Sequence, residues 1–491
     1  MTGRISELTK KLSSLNWDHG PNLINHSCNI KKDDIFFAYP GSSSDGRNFI
    51  EEAIGSGTSL VVWDDKDFIW KKKWNVENFP VRNLKKQLGR IASAYYGDPT
   101  DNLWVAGVTG TNGKTSCVNW ISSCLNKLGY PTGSIGTLGV NFGQQTSPTV
   151  NTTPDAMTIQ RVTAELLQKK ATGIALEASS HGLDQGRLSC VRFDVGLFTN
   201  LSRDHLDYHG DMGRYGQAKK ILFASQSLES AVVNIDDSFG DFLFKDIEKA
   251  LPNAISYGSR SGDIHSLNVR ERKWGTSFDV STPWGRTRVE SKILGDHNLY
   301  NFLGVIGVLC LRGIDVKDVG AVISTCEPIP GRMENINFQG KPLVVIDYAH
   351  TPEALRGTLQ ALGKLLESTD KLICVFGCGG SRDKGKRAEM GAVASSLADY
   401  CFVTSDNPRN ESPTAIIKDI LKGMDSNYTV EKNRKSAIVK SLEFAKENDI
   451  ALIAGKGHEN YQDFGNKKVP FSDHEIVQAY LRKTGRGGSV V

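Results

Sequence analysis

The segment Gly107-Val-Thr-Gly-Thr-Asn-Gly-Lys114-Thr115 is where the sequence is most explicit about chemistry. The apolar stretch Leu103–Val108 reads as a strand feeding a glycine-rich loop, and the apolar-periodic stretch from Thr115 to about Leu128 reads as the helix that the loop opens. Small residues let backbone N–H groups close around phosphate oxygens, and a helix N-terminus adds its positive end. Lys114 can reach the β- and γ-phosphates of a nucleotide, and the Thr115 hydroxyl can ligate Mg²⁺. The spacing departs from the common phosphate loop by one position, because five residues separate Gly107 from Gly113 where that pattern has four. Taken alone, the loop points to nucleotide hydrolysis or phosphoryl transfer; the alternative is a glycine turn with a chance lysine.

Four later segments share a second pattern. The apolar runs Leu343–Asp347, Leu372–Phe376, Tyr400–Thr404 and Ile450–Ala454 are followed by Tyr-Ala-His-Thr-Pro352, Gly-Cys-Gly-Gly-Ser-Arg-Asp383, Ser-Asp-Asn-Pro-Arg409 and Gly-Lys-Gly-His-Glu459. In open α/β sheets ligands bind beyond the carboxyl ends of the strands, so these ends predict a crevice that gathers Arg382, Asp406, Arg409, His458 and Glu459. The bland alternative is four ordinary polar loops. Ser180-His181 invites a hydrolase reading, but no Gly-x-Ser-x-Gly turn surrounds it.

The elements that must position these residues follow from the rest of the chain. Its 491 residues are too many for one core and suggest two to four domains. A formal charge of +4, from 59 basic and 55 acidic residues, is too balanced for a nucleic-acid or membrane-surface partner. No signal-peptide core and no apolar run of membrane-spanning length is present, so the expected location is the cytoplasm. The nine scattered cysteines read as reduced thiols; Cys374 and Cys378 share a turn, but no second pair or His cluster completes a zinc site. Punctuation separates residues 1–100, 101–330 and 331–491. The first region holds the strands Ile35–Ala38 and Ser59–Trp63 and ends in the turn Tyr96-Gly-Asp-Pro-Thr100. In the second, the strands Gly173–Glu177, Phe193–Thr199 and Ala231–Asn234 alternate with helices such as Asp155–Lys169. That alternation predicts an α/β fold with a mostly parallel sheet and helices on both faces.

Gly110-Thr-Asn-Gly-Lys-Thr115 resembles the ATP loop of the Mur ligase family. Further segments resemble that family's motifs along nearly the whole chain: Glu177-Ala-Ser-Ser-His-Gly182, Thr199-Asn-Leu-Ser-Arg-Asp-His-Leu-Asp-Tyr-His-Gly210, Asp296-His-Asn-Leu-Tyr-Asn301, Gly331-Arg-Met-Glu334 and Asp347-Tyr-Ala-His-Thr-Pro352. With Asp406-Asn-Pro-Arg409 and Gly455-Lys-Gly-His-Glu459, the chain resembles the branch that adds the third residue of the peptidoglycan stem peptide. The resemblance implies three domains: an N-terminal α/β UDP-MurNAc-binding domain (1–100), a central P-loop ATPase domain (101–330) and a C-terminal Rossmann-like amino-acid-binding domain (331–491). It implies that UDP-MurNAc-L-Ala-D-Glu, a diamino acid and ATP give the tripeptide, ADP and phosphate. It implies small-molecule substrates handled by a monomer, with neither nucleic acid nor membrane as partner.

The resemblance also implies roles. Gly110, Thr111, Asn112, Gly113, Lys114, Thr115 and Ser116 would cradle ATP, and Thr115 with Glu177 would hold one Mg²⁺. His205 matches a histidine associated with a second Mg²⁺, although Mg²⁺ prefers oxygen ligands and the residue by itself reads as a hydrogen-bonding one. Lys219 matches a lysine that CO₂ converts to a carbamate, an anionic oxygen ligand; read plainly it is a solvated helix lysine, a description that fits Lys220 better. Asn301 would contact adenine, and Arg332, Asp347 and His350 the nucleotide, Asp347 and His350 being alternatively a local turn network. Asn25, Ser27, Ser42, Ser43 and Ser44, then Asn151, Thr152, Thr153, Ser179, Gln185 and Arg187, match positions for the UDP-sugar dipeptide. His26 and Cys28 depart from the family's usual Asp and Arg, which bears on the uridine end.

Arg409 decides the incoming amine. meso-Diaminopimelate carries a distal carboxylate that lysine lacks, and a guanidinium binds a carboxylate through two parallel charged hydrogen bonds. Arg382, Asp406, Asn407, Pro408, Gly455 and Glu459 match the remaining contacts, with Glu459 suited to the distal ammonium; Arg409 as a surface arginine at a helix start is the alternative. Three competing readings remain at this level: an L-lysine-adding ligase, another amide ligase of the superfamily such as folylpolyglutamate synthetase, and a nucleotide-dependent binding protein. Intact Lys114, Thr115, Glu177, His205 and Lys219 argue against the last.

Overall fold

In the computed structural model, residues 2–15, 17–41 and 44–484 are described. The chain divides into two compact units, one of residues 1–201 with 205–255 and the other of residues 202–204 with 256–491.

The first unit opens with a four-stranded parallel sheet in the order Leu23–Ile24, Ile35–Ala38, Leu60–Trp63, Glu77–Pro80. Every residue of the two middle strands is buried, because both faces are covered. Alternation with period two sends Phe37 and Val62 toward a core with Leu84, Leu88 and Ile91 of helix Leu84–Tyr95, and sends Phe36 and Val61 toward Ile50, Ala53 and Trp74.

A second sheet in this unit runs Ser230–Asn234, Val195–Phe198, Trp104–Thr109, Gly173–Glu177, Thr132–Gly136, all parallel, with Gly139–Phe142 and Gln145–Ser147 added antiparallel at one edge. Trp104–Thr109 is central, so the loop that follows it is flanked by the strand ends carrying Glu177 and Thr199. Helix Lys114–Lys127 leaves that loop. Helix Ala156–Gln168 starts where Asp155 accepts from the N–H groups of Met157 and Thr158.

The second unit contains an antiparallel meander, Ile264–Arg272, Gly275–Thr282 and Gly285–Ser291, which the alternating reading of the sequence did not include. Its middle strand buries every second residue from Thr276 to Val280, the pattern of a sheet with one covered face. A six-stranded sheet follows in the order Glu334–Ile336, Leu343–Asp347, Ile450–Ala454, Leu372–Phe376, Tyr400–Val403, Tyr428–Val430, parallel except for its first strand. Helices Pro352–Gly363, Gly385–Leu397 and Pro413–Leu421 cover one face, and Arg434–Phe444 and Asp473–Thr484 the other. The four strands read from the sequence are therefore neighbours, and their carboxyl ends open on one edge. Burial pushes the Cys378 thiol up to about 12.

Candidate active site

The phosphate loop has the backbone its sequence calls for. Gly110 and Gly113 take φ of +151° and +86°, and a Cβ on Gly110 would lie 1.8 Å from Thr199 Oγ1. The loop is closed by the next strand end: the Thr111 N–H donates to the Asn200 carbonyl (2.8 Å), the Asn112 N–H to Asn200 Oδ1 (2.9 Å), and the Thr199 hydroxyl to the Asn112 carbonyl (2.6 Å). Lys114 folds back, its Nζ donating to the carbonyls of Gly110 and Thr111, both at 2.7 Å. Ser116 is buried in the first turn of the helix.

Glu177 is almost wholly buried and faces this loop. Its Oε2 accepts from Thr115 Oγ1 (3.1 Å) and Thr137 Oγ1 (3.2 Å), and its Oε1 from the Thr137 N–H (2.8 Å). A Cβ on Gly136 would come within 2.2 Å of Oε1, so only glycine leaves the carboxylate this seat.

Lys219 is 1 % exposed, which removes the solvated-lysine reading. Its Nζ donates to the Gly110 carbonyl (2.8 Å) and lies 4.2 Å from the Tyr215 ring centre, while the Tyr215 hydroxyl reaches Thr111 Oγ1 (3.2 Å). Lys220, as expected, points outward to Asp246. His205, at φ +54°, packs its ring against His181 (4.9 Å between ring centres) and Tyr215 (6.3 Å). Burial, then the neighbouring rings of His205 and His209, bring His181 down to about 4. His209 hydrogen-bonds Ser180 Oγ (3.0 Å); the serine of the rejected hydrolase pair thus ties two short helices together.

The residues matched to the UDP-sugar dipeptide are only partly gathered. Thr153 Oγ1 donates to the Glu177 carbonyl (2.6 Å) and accepts from the Ser179 N–H (3.0 Å); Thr152 Oγ1 meets Thr137 Oγ1 (3.1 Å). Arg187 donates to the Thr153 carbonyl (2.6 Å) and to Gln185 Oε1 (2.7 Å), and Gln185 reaches the Tyr208 hydroxyl (3.3 Å). Asn25 donates to the Tyr39 hydroxyl (3.1 Å), a phenol whose pKa is raised by burial and which feels the charges of Asp155 and Arg187. Ser27 begins a short 3₁₀ turn with Cys28 exposed beside it; Ser44 and Asn151 are exposed. Ser42 and Ser43 lie outside the described residues.

In the second unit, Asn301 is buried on helix Asp296–Leu311 and donates to Asn298 Oδ1 (3.2 Å). Arg332 lies over the Tyr348 ring at 4.5 Å with its Nε buried and without a hydrogen-bond partner. Both carboxylate oxygens of Asp347 are taken by protein donors, Met333 N–H (2.8 Å), Ala349 N–H (2.9 Å) and Thr358 Oγ1 (3.2 Å), and His350 Nδ1 lies 2.8 Å from the Tyr348 carbonyl. These are the contacts of the turn-network alternative. Burial, then Lys386, lowers the His350 pKa.

Around the third and fourth strand ends the sequence-predicted residues do come together. Asn407 is their hub: its Nδ2 donates to Glu459 Oε2 (2.7 Å), and its Oδ1 accepts from Lys456 Nζ (3.0 Å) and from the Asp463 N–H (2.9 Å). Arg409 is not at a helix start. It sits at φ +48° with its Nη1 on the Gly380 carbonyl (2.9 Å) and its Nε 3.4 Å from Asp463 Oδ2. Asp406 Oδ1 accepts from the Asn407 N–H (2.6 Å), and Pro408 is buried. Gly455, at φ +112°, is required because a Cβ would lie 2.7 Å from Asp406 Oδ2. Arg382 is exposed. Burial, then Arg332 and Lys456, holds His458 at about 4.

Three family models match the chain: "Mur ligase family, catalytic domain" over residues 24–96, "Mur ligase middle domain" over 108–309 and "Mur ligase, glutamate ligase domain" over 331–457. The chain belongs to the Mur ligase family. Among its relatives is a protein of Chromobacterium violaceum named UDP-N-acetylmuramoyl-L-alanyl-D-glutamate--2,6-diaminopimelate ligase, 43 % identical over 92 % of both chains. One of the same name from Neisseria meningitidis is 44 % identical over 94 % of this chain and 95 % of its own. A solved structure of a ligase of that name superposes with a TM-score of 0.69 at 31 % identity, covering 97 % and 98 % of the two chains. The folylpolyglutamate synthase of Mycobacterium tuberculosis, at 18 % identity and a TM-score of 0.62 over 75 % of this chain, shares the fold.

In this Mur ligase several site residues escaped the sequence reading. Thr137 sits between Gly136 and Gly139 in a stretch that was not singled out, and Asn200 and His209 were quoted only as members of a longer motif. Lys456 was quoted only inside Gly455-Lys-Gly-His-Glu459, and Asp463, five positions beyond His458, belongs to no motif read from the sequence.

Proposed function

We propose that the chain is an ATP-dependent ligase that joins meso-2,6-diaminopimelate to UDP-N-acetylmuramoyl-L-alanyl-D-glutamate in peptidoglycan synthesis. The observation that carries it is the pairing of Arg409 and Glu459, a cation and an anion joined through Asn407 and Asp463, as anchors for a distal carboxylate and a distal ammonium. The relatives' names and the family support the same reaction.

A carboxylate is a poor electrophile, and phosphorylation by ATP converts it to an acyl phosphate that a free amine can attack. The amine must lose a proton, phosphate leaves, and an amide remains. The loop at Gly110–Ser116 binds the phosphates through backbone N–H groups and the helix N-terminus, with Lys114 turning from its carbonyls to the β- and γ-oxygens. Thr115 and Glu177 fit Mg²⁺, a hard cation that favours oxygen donors. Among the described residues no group of three His, Cys, Asp or Glu side chains is arranged to hold a metal, which suits an ion taking most of its ligands from nucleotide and water. When bound, it screens the charge between nucleotide and acceptor carboxylate. His205, in its imidazole and phenol cluster, would help hold a second Mg²⁺, and a carbamate on Lys219 would add an anionic oxygen donor beside Gly110.

Asn301 and Arg332 take the nucleotide base and phosphate, with Asp347 and His350 shaping the turn under Arg332. Thr152, Thr153, Ser179, Gln185 and Arg187, with Asn25, Ser27 and Ser42–Ser44, take the UDP-sugar dipeptide. The domains are 1–100, 101–330 and 331–491, the protein acts as a monomer in the cytoplasm, and no helix of the described residues is long and apolar enough to cross a membrane.

The test is phosphate release by the purified protein with ATP and Mg²⁺. Release should require both the UDP-dipeptide and a diamino acid, and meso-diaminopimelate should far exceed L-lysine. Release without the UDP-dipeptide, or a preference for L-lysine, refutes the proposal.

A further inference from the structure

Two charged side chains that are not themselves anchors each touch one of the anchors. Lys456 is fully buried, and its Nζ donates to Glu459 Oε2 (2.8 Å) as well as to Asn407 Oδ1 (3.0 Å). Asp463 ends the first strand of a short antiparallel hairpin, Tyr461–Asp463 with Lys468–Pro470. Its carboxylate lies 3.4 Å from Arg409 Nε, its carbonyl accepts from the Arg409 N–H (2.9 Å), and its own N–H donates to Asn407 (2.9 Å).

The hairpin is fastened to the anchor segment at further points. Gln462 Nε2 donates to the Asp406 carbonyl (2.8 Å), and at Gly465 (φ +80°) a Cβ would meet Asn410 Oδ1 at 2.1 Å. Each anchor thus has its own counterion. The anion Glu459 has Lys456, and the cation Arg409 has Asp463. Among the described residues no donor is placed on Glu459 Oε1 and no acceptor on Arg409 Nη2, so one side of each anchor faces away from its counterion.

We propose that Lys456 and Asp463 are positioning residues for the amino-acid substrate, built-in counterions that hold the two anchors in register and favour a distal end that is itself zwitterionic. The proposal rests on the reading of this site given under Proposed function. The physical reason is charge balance. A lone distal ammonium meets a carboxylate already shared with Lys456 and gains little. A distal group carrying both ammonium and carboxylate engages both anchors at once and leaves no unpaired charge. The hairpin matters because a guanidinium discriminates only when its fork is held at a fixed angle.

The experiment measures steady-state phosphate release by the full chain carrying Asp463→Asn or Lys456→Met, with melting curves to verify folding. Asp463 is partly exposed and its replacement nearly isosteric, so this variant decides the matter if Lys456→Met does not fold. Each variant should raise KM for meso-diaminopimelate about tenfold while KM for ATP and for the UDP-dipeptide stays within about twofold, and should lower the preference for meso-diaminopimelate over L-lysine. Because Lys456 acts through Glu459, Lys456→Met should add less than about a further twofold in a Glu459→Gln background. The proposal is overturned if KM for meso-diaminopimelate is unchanged in folded Asp463→Asn, if all three KM values rise together, or if Lys456→Met and Glu459→Gln multiply in full. Failure of the unmodified protein to use meso-diaminopimelate would instead sink the reading of the site.

Discussion

Replacing Arg409 by Ala removes a guanidinium that is held rather than solvated. One Nη donates to the Gly380 carbonyl, Nε faces Asp463, and the side chain is 25 % exposed. A hydrogen bond to a charged group contributes about 1.5–3 kcal/mol in a partly buried site. With Nη1 already engaged, a distal carboxylate gains one full bond through Nη2 and a shared one through Nη1. The loss on truncation should therefore be about 3–4 kcal/mol, or roughly 10²–10³ in kcat/KM for meso-diaminopimelate. Arg409→Lys keeps the charge without the fork and should lose about tenfold. The folding cost should stay near 1 kcal/mol, because Asp463 is partly exposed and water can replace its partner. The assay is phosphate release at varied amine concentration, with meso-diaminopimelate and L-lysine in parallel. Residual use of L-lysine should be untouched, since lysine has no distal carboxylate. An equal proportional loss with both amines, or a loss below about fivefold with meso-diaminopimelate, would show that Arg409 shapes the loop instead of reading the substrate.

Gly136→Ala places a Cβ 2.2 Å from Glu177 Oε1 and should push that carboxylate off Thr115 and Thr137. A Mg²⁺ titration of activity should shift to higher concentration, with kcat down on the order of 10–100-fold; an unshifted titration argues against Glu177 as a metal ligand. His181 and His458 both sit near 4, burial being the main cause, while an unfolded chain takes its histidine protons near 6.5. Below 6.5 the unfolded state binds more protons than the folded one, so stability is intact above 6.5 and falls as pH drops toward 4. Denaturant melts across that range should show the slope, and His458→Gln should flatten it. Arg387 is 1 % exposed between Glu411 and Asp419, and it holds the Glu411 carboxyl down to about 2. Arg387→Met should destabilise the fold, because it removes the buried guanidinium that joins Glu411 to Asp419 and leaves Glu411 with Lys384 and the Ser381 N–H and Asp419 with Lys422 alone. A change under 1 kcal/mol in urea denaturation would mark the cluster as a surface ion pair.

Much of this was legible in the chain itself, wherever chemistry is written in local order. The phosphate loop depends on glycines that permit φ of +151° and +86°, on the strand before it and on the helix after it, all contiguous. The strands Leu343–Asp347, Leu372–Phe376 and Ile450–Ala454 were visible as short apolar runs because a sheet covered on both faces buries every residue. The one-sided meander of residues 264–291 was not read, since alternate residues face water and no continuous apolar run marks it. Among single residues, Arg409 could be chosen for its charge and geometry, but its counterion could not. Sequence names the type of group, whereas the state of that group is set by what folding places beside it. Lys219 and Lys220 are neighbours of the same type, yet one is sealed under Gly110 and Tyr215 and the other reaches outward to Asp246. Lys456 and Asp463 became partners of Glu459 and Arg409 only because the sheet order sets Ile450–Ala454 beside Leu372–Phe376 and the hairpin turns back onto Asp406–Arg409. The phosphate loop belongs to the sequence; the balance of charge around the amino-acid anchors belongs to the tertiary fold, because opposite charges shift one another only when the fold brings them within a few ångströms.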